Sequence, residues 1–472
     1  MKILLVTLSL VLGITFSASA QKGSPDAYRI TMKIKDFKDS TVVLGHYYGN
    51  NQYVPKDTAK ADQKGNLVFA GKKSLPGGVY LLVLPGSKYV EVLIGESNFS
   101  MEFDTVDVVK SMVVKGSQEN QVFYDFQKFM GKKAEEAGNV RDKLKHSNAD
   151  TAAAAKNKLM DLDKEIKAYR ENLFSQNPKL FAVKVLKSAL DPDVPEPPIL
   201  PNGAKDSVFA FRYFKNHYFD NIDLSDDRMI RTPVFHGKLD KFFKQLVVQM
   251  PDSINRDADA LIGKTKSPEL FKYMVWFVTN TYENSQIMGM DAVFVHMAKT
   301  YYLSGKATWV DSGVVAKIRD RVKILEPILI GKTAPNMFLT DTLGKLAPLS
   351  NVKAKYTLLY FWDPDCGHCQ KVTPELGEFY NKNRDKGIEV YAASIIRDSA
   401  KVKIWKKYIR EKKLKFLNVW DSYIQTDFKN TYDIYSTPVL YILDEKKKII
   451  AKRIGVEQLP EFFNNGLKFK VD

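Results

Sequence analysis

The residues of this 472-residue chain best suited to chemistry are Cys366 and Cys369, set two residues apart in the stretch FWDPDCGHCQ and the only cysteines it has. A thiolate is both a nucleophile and a metal ligand. The pair could therefore be a structural bridge, part of a metal site, or a dithiol that exchanges with other disulfides. A bridge closing so small a loop takes little entropy from the unfolded chain, which makes a purely structural role a poor fit. Zinc needs two further N or S ligands; His46, His217, His236 and His296 lie in separate segments with no ligand spacing. Haem attachment requires CxxCH, and residue 370 is Gln. A peroxide-reducing cysteine expects Thr or Ser three residues before it, where this chain has Asp363. Redox exchange by the dithiol itself is what the residues favour, with no metal and no cofactor.

The pattern around the pair predicts how it is positioned. Strand YTLLYFW leads into a helix from Cys366 through about Asn383. Such a helix turns its unsatisfied N–H groups and the positive end of its dipole toward the first sulfur, which favours thiolate. In CxxC pairs placed this way the first cysteine attacks and the second, deeper in the helix, resolves. His368 between them can be cationic near neutral pH and stabilises the thiolate further. A more stable reduced form moves the couple toward the oxidising end.

The surrounding elements alternate. After the leader GKTAPNMFLTDTLGKLAPLSNVK come the strand and helix just described, strand IEVYAASI, and a helix from about Ser399 to Lys412. TPVLYILD and KKIIAKRIG follow as a hairpin, then a final helix LPEFFNNGL. This reads as a βαβ unit followed by α and ββα, with the CxxC at the first strand-to-helix junction.

With these residues in view, the segment resembles the thioredoxin superfamily: Trp362 before the motif, Cys366, Cys369, Pro374, and Thr437-Pro438 some seventy residues on. The resemblance implies that Cys366 is the nucleophile, Cys369 the resolving cysteine and Pro374 a helix-kinking proline. It implies a cis Pro438 that presents the backbone of Thr437 to a bound polypeptide, and a Trp362 that packs under the motif. The leader and the N-terminal signal resemble exported thiol:disulfide interchange proteins of the TlpA and ResA type. Two positions depart from the pattern. Tyr360 stands where thioredoxins hold a buried proton-accepting Asp, and Val372 where the TlpA/ResA type has Glu. Asp363, Asp365, Glu375 or water are the remaining acceptors for the Cys369 proton. CGHC matches the motif of protein disulfide isomerases and argues for oxidation or isomerisation, whereas the TlpA/ResA-like frame argues for reduction.

The rest of the chain divides by composition. Residues 1–20 carry one Lys before an apolar run and end Ser-Ala-Ser-Ala, the layout of a secretory signal cleaved after about Ala20. No later stretch is long enough to span a bilayer, so the expectation is a soluble periplasmic protein. Residues 21–116 alternate like an antiparallel β-sandwich or barrel-like domain. Residues 117–329 turn to helical period, with Val122, Phe123, Phe126, Phe129 and Met130 on one stripe and a Pro-rich break near 191–201. Aromatic runs such as SVFAFRYFKNHYF read as core seams. Residues 330–472 complete an expected multidomain architecture of all-β, α-helical and α/β thioredoxin-like parts, similar to exported proteins of Bacteroidetes.

Net charge is +16, of which residues 331–472 hold +8, 25 Lys or Arg against 17 Asp or Glu. The basic run Lys401–Lys415 keeps Val402, Trp405, Ile409 and roughly Leu414 on one face and reads as the solvated back of a helix. An exported setting makes nucleic acid an implausible partner. Expected partners are exported proteins with cysteines or disulfides and a redox protein that supplies or accepts electrons, with a homodimer left open. Residues 21–330 offer no catalytic carboxylate pair, nucleophile motif or phosphate loop. The alternative reading is a partner- or glycan-binding exported module with an auxiliary redox domain.

Overall fold

The computed structural model describes residues 26–50, 52–145 and 149–472; the expected signal segment lies outside them. The chain forms two compact units. One comprises the residues up to Leu190 with Arg231–Val234, and the other holds Asp191–Ile230 and Phe235–Asp472.

In the first unit eight strands run β1 (Tyr28–Ile34), β2 (Thr41–Tyr48), β3 (Gln52–Lys60), β4 (Asn66–Gly71), β5 (Gly78–Leu84), β6 (Lys88–Ile94), β7 (Asn98–Phe103) and β8 (Val113–Lys115). They form two four-stranded sheets, β4-β1-β7-β8 and β3-β2-β5-β6, as the alternating sequence predicts. Tyr28, Ile30, Met32 and Ile34 of β1 all point into the core. Strand β3 gave no strand signal because it carries Pro55; it lies at a sheet edge, where β2 shifts register opposite that proline, as a residue without N–H requires. The helix Gln118–Leu144 is N-capped by Ser117, whose Oγ accepts from Asn120 N–H. Its predicted stripe buries Phe123 fully, joined by Tyr124, and leaves Val122, Phe126, Phe129 and Met130 half-buried. Phe129 stacks on Tyr169 of the helix Ala149–Gln176 at 3.8 Å between ring centroids.

In the second unit the helices Pro251–Lys264, Pro268–Glu283 and Asp291–Met297 bury aromatic and aliphatic seams. Phe209–His217 does not: it buries no side chain fully and exposes Phe211. The aromatic run reaches the core one residue further on: Tyr218 is fully buried and stacks on Phe242 at 6.1 Å between ring centroids, while Phe209, Tyr213, Phe214 and Phe219 are half-buried. The seven-stranded sheet comprises β9 (Phe338–Asp341), β10 (Leu346–Pro348), β11 (Tyr356–Trp362), β12 (Ile388–Ser394), β13 (Leu417–Trp420), β14 (Val439–Leu443) and β15 (Ile449–Lys452), in the order β10-β9-β13-β12-β11-β14-β15. Strands β11, β12 and β13 run parallel. Three of these strands, the β9–β10 hairpin and the four-residue β13, are too short to show a period and gave no expectation.

Both faces of β11 are covered, which accounts for its unbroken apolar run. Leu358, Tyr360 and Trp362 pack with Leu376 and Phe379 of the helix Gly367–Asn383, and with Trp405 of the helix Lys401–Glu411. Leu359 and Phe361 face the other way, into a cluster holding Phe294, Val322, Leu325 and Ile328 from the helical segment and Phe428 and Tyr432 from the helix Phe428–Tyr432. The basic run behaves as a solvated helix: Trp405 is buried while Lys403 and Lys407 are exposed. The expected final helix arrives as successive short turns over Val456–Gly466. Among the described residues no helix is long and apolar enough to cross a membrane.

Candidate active site

Strand β11 ends at Trp362, and a tight turn delivers the first cysteine to the helix start. The Asp363 carboxylate accepts from Asp365 N–H at 2.9 Å, Asp363 O accepts from Cys366 N–H at 3.1 Å, and Gln370 Nε2 donates to Pro364 O at 2.8 Å. These bonds fix Cys366 as the N-cap residue of Gly367–Asn383, with its carbonyl accepting from Gln370 N–H at 3.0 Å. Pro374 lies inside that helix.

The two sulfurs are free thiols in unlike settings. Cys366 is half-exposed, and Cys369 is fully buried. Partial burial pushes the Cys366 thiol up, but the N–H groups of Cys369 and His368 at the helix start, with the Thr437 and Cys369 side chains, outweigh it and hold the thiol below its ordinary value. Burial pushes Cys369 up to about 11. A sulfur facing the open N-terminal turn is stabilised as an anion, and one sunk in apolar packing is kept neutral.

Six residues singled out in the sequence come together here. Thr437 O lies 3.4 Å from Cys366 Sγ, and the Thr437-Pro438 peptide is cis. His368 is exposed and lines, with Pro438, a cleft of about 440 Å³. Trp362 is fully buried in the cluster that contains Cys369, its ring 5.6 Å from that of Tyr408. Tyr408 OH in turn donates to Gln370 O at 3.1 Å.

Of the carboxylates considered for the Cys369 proton, Asp365 pairs with Lys401 at 2.7 Å on the surface. At the position where a buried acid was expected, the Tyr360 hydroxyl bonds Thr373 Oγ1 at 2.9 Å, both residues fully buried. Burial raises the Tyr360 phenol far above its ordinary value, so this pair offers hydroxyls and no base. Three further residues, Arg321, Asp433 and Arg453, line the same cleft. No local pattern pointed to them, because they meet only through the fold. Among the described residues no group of three or more His, Cys, Asp or Glu is placed to hold a metal ion.

A parallel sheet core, a cysteine at the N-cap position of the next helix and a cis-proline apposed to it define the thioredoxin-like class. Comparison with known proteins narrows the class. The AhpC/TSA family matches residues 330–452, and two domains of unknown function, DUF4369 and DUF5106, match residues 28–123 and 192–326. Thiol-disulfide oxidoreductase ResA of Bacillus cereus is 34% identical over 136 residues, 29% of this chain and 75% of that protein. The chain belongs to the ResA-like thiol-disulfide oxidoreductases. Among solved structures, a domain of a possible thiol-disulfide isomerase from Cytophaga hutchinsonii ATCC 33406 is 56% identical, covering 30% of this chain and 95% of that one at a TM-score of 0.29. A thiol:disulfide interchange protein from Bacteroides sp. is 32% identical, covering 29% of this chain and 92% of that one at a TM-score of 0.26.

Proposed function

We propose that the protein is an exported, periplasmic thiol–disulfide oxidoreductase that interchanges disulfides with exported client proteins through the Cys366–Cys369 couple. The observation that carries this reading is the opposite setting of the two sulfurs: one half-exposed at a helix start, its thiol held low, the other buried with its thiol pushed up to about 11. In the reductive direction the Cys366 thiolate attacks one sulfur of a client disulfide. The client S–S bond breaks, the second client sulfur leaves and takes a proton, and Cys366 is joined to the client. Cys369 then loses its proton and attacks Cys366 Sγ, which releases the first client sulfur as the intramolecular bridge closes. Two electrons have then passed to the client; oxidation of a client runs the same steps backward. Thr437 and Pro438 position the client chain beside Cys366, and His368 tunes the couple. Export rests on the signal-like residues 1–20, and a redox partner protein resets the couple.

Stabilising the Cys366 thiolate stabilises the reduced form and moves the couple toward the oxidising end. Equilibration with glutathione reads the direction: a potential near the roughly −270 mV of thioredoxin makes the protein a reductase, and one near about −120 to −180 mV an oxidase or isomerase. Cys366→Ser abolishes exchange with insulin, and Cys369→Ser accumulates mixed disulfides visible on a non-reducing gel. A Cys366→Ser protein that exchanges as fast as the parent overturns the assignment.

A further inference from the structure

The cleft beside His368 and Pro438 is floored by an ion cluster whose members come from distant parts of the second unit. Arg321, on the helix Ser312–Leu325, sets its guanidinium fork against Asp433, with Nη2 3.1 Å from Oδ2 and Nη1 paired to Oδ1. Arg453, just past β15, binds the same carboxylate and reaches Asp433 O at 3.4 Å. Asp433 is buried, 3% exposed, and ends the helix Phe428–Tyr432 in the left-handed region at φ 55°. Arg453 is left-handed too, at φ 56°. Two non-glycine residues in that region, joined to each other, are held there only if their surroundings dictate it. A buried carboxylate needs its cations, and one of these comes from the helical segment.

Asp433 begins the short loop Ile434, Tyr435, Ser436 that ends at Thr437-Pro438, whose carbonyl stands against Cys366 Sγ. Arg321, Asp433, Tyr435, Ser436 and Pro438 all line the cleft that His368 borders. Val322 and Leu325, next to Arg321 on its helix, enter the same apolar cluster as Tyr432 and Ile434 on either side of Asp433. Packing and ion pair therefore grip the loop together.

We propose that Arg321 is a positioning residue for disulfide exchange: by holding Asp433 it fixes the loop that presents Thr437 and Pro438 to Cys366. The helical segment thereby completes the exchange site for polypeptide clients. This rests on the exchange reading above. A polypeptide disulfide must lie along Thr437, whereas a small aromatic disulfide needs only the Cys366 sulfur, so the two substrates separate the roles.

The test uses the full chain with Arg321→Met and Arg321→Lys, insulin as the protein disulfide and 5,5′-dithiobis(2-nitrobenzoic acid) as the small one. In R321M the kcat/KM for insulin falls roughly tenfold to a hundredfold, as loss of placement without loss of chemistry demands. The fall is carried by KM, while reaction with the small disulfide stays within about twofold. R321K, which keeps the charge but loses the fork, lies between. An unchanged ratio of protein to small-disulfide rates in either folded variant overturns the role of Arg321. Equal loss with both substrates overturns it too, by making the residue merely structural. Failure of the parent to react with the small disulfide refutes the exchange reading instead.

Discussion

Cys366 and Cys369 sit on one helical turn and differ in what surrounds each sulfur. The expected consequence is a pH profile. With iodoacetamide, the reduced protein takes up one label per chain, at Cys366, and the rate is half-maximal below the ordinary thiol value of 9.0 because that thiol is held low. The rate falls as pH drops through the lowered value; a rate that climbs only above pH 9 contradicts this. Cys369 stays unlabelled until pH approaches about 11. The Tyr360–Thr373 hydroxyl pair makes a second prediction. Thr373→Val strands a buried phenol without its partner, which costs about 1–3 kcal/mol of stability in denaturant titrations. A loss near zero means that Tyr360 finds another partner. Much at this scale was legible in the chain: CGHC, the apolar strand before it and Pro438 all carry local signals. Thr373 was not, since nothing in KVTPE distinguishes a buried threonine from an exposed one.

At the scale of elements, β11 and the two helices against its Trp362 face decide how rigidly the motif is held. Trp405 anchors the basic helix Lys401–Glu411 to that face. Trp405→Ala costs about 3–5 kcal/mol through the cavity it leaves, whereas Lys403→Gln on the exposed back changes stability by less than about 0.5 kcal/mol. Equal effects in thermal melts disprove the division of that helix into a buried seam and a solvated back. Long periodic elements such as Gln118–Leu144 could be read from their spacing. Strand β3 hid behind Pro55, and β13 is held by β12 and β9 on either side, a tertiary cause that four residues cannot encode.

For the whole molecule, each of the two units has its own buried core. Calorimetry of the full chain is expected to show two cooperative transitions, and alkylation of Cys366 shifts only the one that belongs to Asp191–Ile230 with Phe235–Asp472. A single transition that moves as one contradicts this. The sequence announced a sandwich, a helical stretch and an α/β end. It was silent on the pairing of Arg321 with Asp433, 112 residues apart, because an ion pair across such a distance leaves no periodic trace. The seclusion of Cys369 has one more consequence, which concerns biogenesis. With two cysteines there is one possible intramolecular pairing, and with one sulfur fully buried only its neighbour meets passing thiols. Under the proposed export, a chain maturing in an oxidising compartment therefore has no wrong internal isomer to escape, and the proposed exchange with client disulfides needs no prior correction of its own pairing.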